Sequence, residues 1–216
     1  MADRELSITG YLTLGLLAAR DWSAYQLAEQ LGRGVSELWP SADRGRYAVL
    51  KRLSEEGFVQ TRQEHTGKRV RTIYSITPAG REALAQWLST PVHPPSVEFE
   101  GMVRVLLSDQ GSLEDLRRTL TQTREQALAH REMFARYAAI ISTTGGTFPE
   151  RRHLFALGNT FMIGHYEHIV AWADWATLQI EDWPDTVTPA VTHESRVHDM
   201  LAPGREAWEA AHPQED

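Results

Sequence analysis

Residues 41–80 read SADRGRYAVLKRLSEEGFVQTRQEHTGKRVRTIYSITPAG, and this stretch decides the fold. It opens with the 3.6-residue period of a helix. Ser41 or Asp43 can cap it, Val49, Leu50 and Leu53 form an apolar stripe, and Gly57 follows its end near Glu56. The period then changes to two, which predicts strands over 59–64 and 69–76 with Thr66-Gly67 as the turn. Thr77 caps a further helix with Pro78 in its first position.

Upstream, residues 6–19 read as a mostly buried helix. Trp22 falls in a linker, and Ser23 caps a second helix that runs to Leu31 before Gly32 and Gly34. The order is three helices, a two-stranded hairpin and a helix. That is a winged helix-turn-helix over residues 1–90. Downstream, residues 90–96 (TPVHPPS) hold three prolines and read as a linker. Residues 97–183 read as helical and residues 184–216 as an irregular tail. The fold class expected is mainly α with a small β-hairpin, in two domains.

The net charge of −7 divides unevenly. Residues 1–90 carry 12 Lys+Arg against 10 Asp+Glu, whereas 91–216 carry 10 against 19. Nucleic-acid binding needs a local positive footprint, and residues 41–71 supply it with eight basic side chains and four acidic ones. On the third helix, Arg44, Tyr47, Ala48 and Lys51 lie opposite the apolar stripe. A helix in the major groove reads base edges with its N-terminal residues, so Arg44 and Tyr47 are placed at or near bases. Lys51, Arg52 and Ser41 suit phosphates, and Lys68, Arg69 and Arg71 give the hairpin tip a basic surface. A solvated basic face is the plain alternative for the helix alone; the adjacent basic hairpin favours DNA.

Gly45-Arg46-Tyr47, Leu50, Leu53, Gly57-Phe58-Val59 and Tyr74-Ser75-Ile76-Thr77-Pro78-Ala79-Gly80 together resemble the phenolic-acid repressor (PadR) family, over residues 6–90. Arg46 departs from that family's usual apolar residue. Tyr47 matches its DNA-facing tyrosine and Tyr25 its aromatic at the start of the second helix, which implies DNA-contacting roles for Tyr25, Arg46 and Tyr47. The long helical second half resembles the larger subfamily, whose C-terminal region dimerises. The resemblance implies a homodimeric regulator, usually a repressor, released by a ligand.

In the second half, Leu113, Leu116, Leu120, Thr123, Ala127, His130, Phe134, Tyr137 and Ile141 recur at alternating spacings of three and four. Such a seam must be buried. The dimerisation residues expected are Leu113, Leu116, Leu120, Ala127, Phe134, Tyr137 and Ile141, with packing against the 149–180 helix as the alternative. Phe161, His165, Trp172 and Trp175 can line an effector pocket, for which an aromatic small molecule is the candidate, or simply fill a core.

Cysteine is absent, so thiolate chemistry and disulfides are excluded. His165 and His168 have helical metal-ligand spacing but no evident third ligand. Nucleophile-elbow, phosphate-loop and zinc-protease motifs are missing. Neither enzyme activity, cofactor nor metal is expected, although a helical enzyme using the two histidines is a distinct reading. No apolar run approaches the ~20 residues of a membrane span, and residues 8–19 lack signal-peptide flanks, so a cytoplasmic protein is expected. The partners expected are double-stranded DNA, a second copy and a small effector; a protein-interaction module without DNA specificity is the alternative.

Overall fold

The computed structural model describes residues 6–32, 38–39, 46–66 and 69–212; the side chains of Arg46, Tyr47, Thr66 and Arg69 lie outside that description. The chain divides into two compact units, Met1–Pro95 and Ser96–Asp216.

In the first unit, helix α1 (Ile8–Ala19) starts at Ser7, whose Oγ accepts from the Gly10 amide at 3.2 Å. Its Leu14 and Leu17 are almost fully buried. Helix α2 (Ala24–Leu31) has a capping box: Ser23 Oγ accepts from Gln26 N, and Gln26 Oε1 accepts from Ser23 N at 3.0 Å. Helix α3 (Arg46–Glu55) buries Leu50 and Leu53, the stripe expected from sequence. Gly57 then takes φ +78°, a conformation that glycine adopts without a Cβ penalty.

The sheet has one strand more than expected. Strands β2 (Val59–Thr66) and β3 (Arg69–Ile76) form the hairpin, in register from Val59↔Ile76 to Thr66↔Arg69. Trp22–Ser23, expected in a linker, forms a short strand β1 that pairs antiparallel with β3, giving the order β1-β3-β2. The indole Nε1 of Trp22 donates to Leu16 O at 3.1 Å, which ties this strand to the end of α1. Ile73 and Ile76 are both buried although an odd spacing puts them on opposite faces, so the sheet is covered on both sides at its root. Toward the tip Val70 is exposed.

Helix α4 (Pro78–Ser89) begins at Thr77, whose Oγ1 accepts from Gly80 N at 3.1 Å. Trp87 of α4 stacks on Tyr11 of α1 with ring centroids 4.5 Å apart. Residues 91–99 have no regular structure.

The second unit is helical. Helix α5 (Glu100–Leu106) is followed by a 3-10 turn, Ser108–Gln110, and by the long helix α6 (Leu113–Thr144). Ser112 and Asp115 form the α6 capping box. Gly145 and Gly146, both at positive φ, reverse the chain into α7 (Arg152–Gln179). Leu116 and Leu120 cluster with Ala176 and Ile180, while His130 and Phe134 meet Tyr166, so α6 and α7 are antiparallel. The tail expected to be irregular over 184–216 instead contains helix α8 (Pro189–Thr192) and helix α9 (Glu194–Ala211). Its prolines misled: Pro189 occupies a first turn, where no amide partner is lost, and Pro203 is accommodated inside α9. Among the described residues no helix is long and apolar enough to cross a membrane.

One contact makes the first unit intolerant of change. A Cβ on Gly80 would lie 2.3 Å from the Phe58 carbonyl oxygen. Gly80→Ala is therefore expected to lose about 3 kcal/mol by overpacking, read as a lowered denaturation midpoint. An unchanged midpoint would show that α4 is not held against the strand.

Candidate nucleic-acid interface

On α3 the residues opposite Leu50 and Leu53 are solvent-facing: Ala48, Lys51 and Glu55 are exposed. The helix therefore presents the face that the sequence pattern assigned to DNA. Arg46 and Tyr47 lie in its first turn. Ser41, Arg44 and Lys68 lie outside the described residues. Arg69 is the first residue of β3, and Arg71 is exposed on the same strand opposite Glu64. Tyr25 is 74% exposed in the first turn of α2.

Basic side chains here have carboxylate partners. Lys51 Nζ lies 3.7 Å from Glu55, and Arg52 Nε donates to Glu56 at 2.7 Å. Arg52 is half-buried and lines a hollow between α3 and the start of α1. It thus sits at the edge of the exposed face, beside rather than among the groove-facing residues.

Arg62 was not singled out from sequence. Its guanidinium on β2 donates to the Asp21 carboxylate before β1 and to Ser75 Oγ on β3, at 3.3 Å for the hydroxyl. The latch crosses the whole three-stranded sheet. Its ends are 41 residues apart, so no local spacing signals it. The hydrogen bond from Arg62 holds the Asp21 carboxyl below its ordinary value, and Ser75 reinforces this. Among the described residues no group of three or more His, Asp or Glu is placed to hold a metal ion.

In the second unit the expected dimer seam is occupied within one chain. Leu116, Leu120, Ala127 and Phe134 are buried, and Leu113, Tyr137 and Ile141 are half-buried. The partner is α7, which lies a short turn away and needs little loop-closure entropy to pack. Arg124 on α6 also pairs with Asp174 on α7 at 2.6 Å. The four expected pocket residues do not enclose a cavity. Phe161, His165 and Trp175 are exposed, and Trp172 packs at the edge of the Leu116 cluster. Phe161 stacks near His165 at 6.3 Å along the outer face of α7.

A three-helix unit with a flanking hairpin and an exposed face on its third helix is a winged helix-turn-helix. The Transcriptional regulator PadR-like family pattern matches residues 13–86. Among curated relatives, the negative transcriptional regulator PadR of Bacillus subtilis (strain 168) is 28% identical over 102 residues. That match takes in 46% of this chain and 56% of the relative, so the chain spans about half the length of that protein. The fold is similar to that of B. subtilis PadR in complex with operator DNA, with a TM-score of 0.71, 20% identity and coverage of 81% of this chain and 99% of the other. It is also similar to B. subtilis PadR in complex with p-coumaric acid, with a TM-score of 0.65, 21% identity and coverage of 82% and 100%. The first unit of the chain carries a domain of the PadR-like family.

Two measurements check these placements. Because the folded Asp21 carboxyl is more acidic than its ordinary value of 3.8, the latch contributes stability above that pH and loses it as pH falls through the lower folded value. The wild-type denaturation midpoint should therefore fall more steeply than that of Asp21→Asn below about pH 4; parallel curves would mean the latch does not form. Leu120→Ala should cost the second unit about 3 kcal/mol, read by denaturant unfolding, because Leu120 is 1% exposed within the single chain. A cost near zero would leave the seam free for another chain.

Proposed function

We propose that the chain is a DNA-binding transcriptional regulator, a repressor that acts in the cytoplasm as a homodimer and is released by a small-molecule signal. The observation that carries this reading is the exposed α3 face with Ala48 and Lys51, beside a hairpin bearing Arg71, in a family whose curated relative is a negative transcriptional regulator. Residues 1–90 serve as the reader and residues 97–183 as the dimerisation and effector domain. The operator complex of B. subtilis PadR supports DNA as the partner, and its p-coumaric acid complex supports a small aromatic acid as the type of signal.

With α7 packed along part of the α6 seam, a further apolar surface is available to a second chain. Leu154, Leu157 and Phe161, at spacings of three and four on α7, are 56%, 72% and 63% exposed. An apolar stripe of this kind suits a two-fold contact, and a two-fold dimer calls for an inverted-repeat operator.

The test is binding to a duplex from the region upstream of the protein's own gene, followed against salt. Affinity should fall steeply as salt rises, because phosphate contacts release counterions. Lys51→Ala and Arg71→Ala should each flatten the log–log slope by about one. Salt-dependent capture of acidic proteins with no duplex binding would favour the protein-interaction reading. Phe161→Glu should convert dimers to monomers in sedimentation with the fold intact; persistent dimers would exclude the α7 stripe.

A further inference from the structure

We propose that Lys51 is an acylation site through which the DNA reader is switched off. The chain contains 22 basic residues, of which twenty are arginines and two are lysines, Lys51 and Lys68. Both lysines fall in the proposed reader. Lys51 is on α3, and Lys68 stands in the sequence between the ends of β2 and β3. An amine forms a stable amide with an activated acyl group. A guanidinium keeps its proton and charge at neutral pH and does not. Cysteine is absent, so no thiol competes for the acyl group. The side-chain chemistry that separates lysine from arginine is therefore confined, in this sequence, to the reader.

The surroundings of Lys51 leave its amine open. The side chain is 78% exposed, and its carboxylate partner Glu55, 3.7 Å from Nζ, is 65% exposed. Such a pair is worth little and does not hold the amine against an incoming acyl donor. Ala48, one turn back on the same exposed face, carries only a methyl group.

The donor is an acyl phosphate or an acyl thioester. The ammonium releases one proton to solvent, and the nitrogen attacks the acyl carbonyl carbon. A C–N bond forms, the C–O or C–S bond breaks, and phosphate or thiolate leaves with the electron pair. Nothing is oxidised or reduced. Acylation removes the lysine charge and its ion pair together. Glu55 is then left bare on the face that approaches phosphate, so the Lys51–Glu55 pair changes from neutral to net negative. An arginine at position 51 could make the same phosphate contact, but could not be adjusted in this way. The switch rests on the regulator reading above; the reactivity of Lys51 does not.

The experiment uses the full chain, treated with acetyl phosphate in one arm and acetyl-coenzyme A in the other. Site occupancy is read by peptide mass spectrometry, and duplex binding by titration against salt. Lys68→Arg leaves Lys51 as the one lysine side chain, and Lys51→Arg with Lys68→Arg leaves none. Each protein is compared with its own untreated form. In Lys68→Arg, acetylation of Lys51 should weaken binding to the upstream duplex by roughly fivefold or more at about 0.1 M salt, and flatten the log–log slope by about one, with the helical circular dichroism unchanged. The lysine-free protein should respond to neither donor. No acetyl group on Lys51 in either arm overturns the site. Full occupancy with unchanged affinity, or an equal loss in the lysine-free protein, overturns the switch. If Lys51 is acetylated in a chain that binds no duplex before treatment, the regulator reading fails and the switch with it, while the modification site stands.

Discussion

The winged unit depends on one backbone crossing. Phe58 N donates to Leu53 O at 2.9 Å, which closes α3. The Phe58 carbonyl then accepts from Thr77 N at 3.0 Å, and Thr77 Oγ1 donates to Gly57 O at 2.8 Å. Gly80 presses its bare Cα against the same Phe58 carbonyl. The end of α3, both ends of the hairpin and the start of α4 therefore meet within a few ångströms. The hairpin cannot pivot relative to α3 without breaking these bonds, so its direction is set where it leaves the helix. Residues 57–59 and 77–80 are also the ones whose spacing was recognisable in the sequence, and the crossing is the physical reason for that spacing: a positive φ at 57, a cap at 77 and no side chain at 80.

Around this crossing most of the first unit was legible. Caps at Ser23 and Thr77 and the stop after Leu31 follow from short-range chemistry, whereas β2 runs past the expected end at Glu64 and takes Thr66, expected in the turn, into a pair with Arg69. Strand β1 was not legible, because two residues carry no periodicity and Trp22 looks like any buried aromatic between helices. The exposed face of α3 was legible for the same reason as its core face: Leu50 and Leu53 fix the rotation of the helix. Its ion pairs divide along the same line. Lys51–Glu55 and Arg52–Glu56 have the i, i+4 spacing of helix neighbours, whereas Arg62–Asp21 joins residues that only the sheet brings together. Exposed pairs of this kind are worth little, typically ~0–1 kcal/mol, so they hold side chains in place without preventing a phosphate from replacing the carboxylate.

The second unit shows a different limit. A seam at alternating spacings of three and four states which face of a helix must leave water; it does not state whose residues cover it. Here a reversal at Gly145-Gly146 returns α7 along α6 after a short connection, and an intramolecular partner wins because its effective concentration is high. In the softer middle of the seam Thr123 and Ala127 are buried, and Thr123 Oγ1 lies against Gly101 of α5. The apolar surface left over moves to the outer face of α7, where Leu154, Leu157 and Phe161 face solvent.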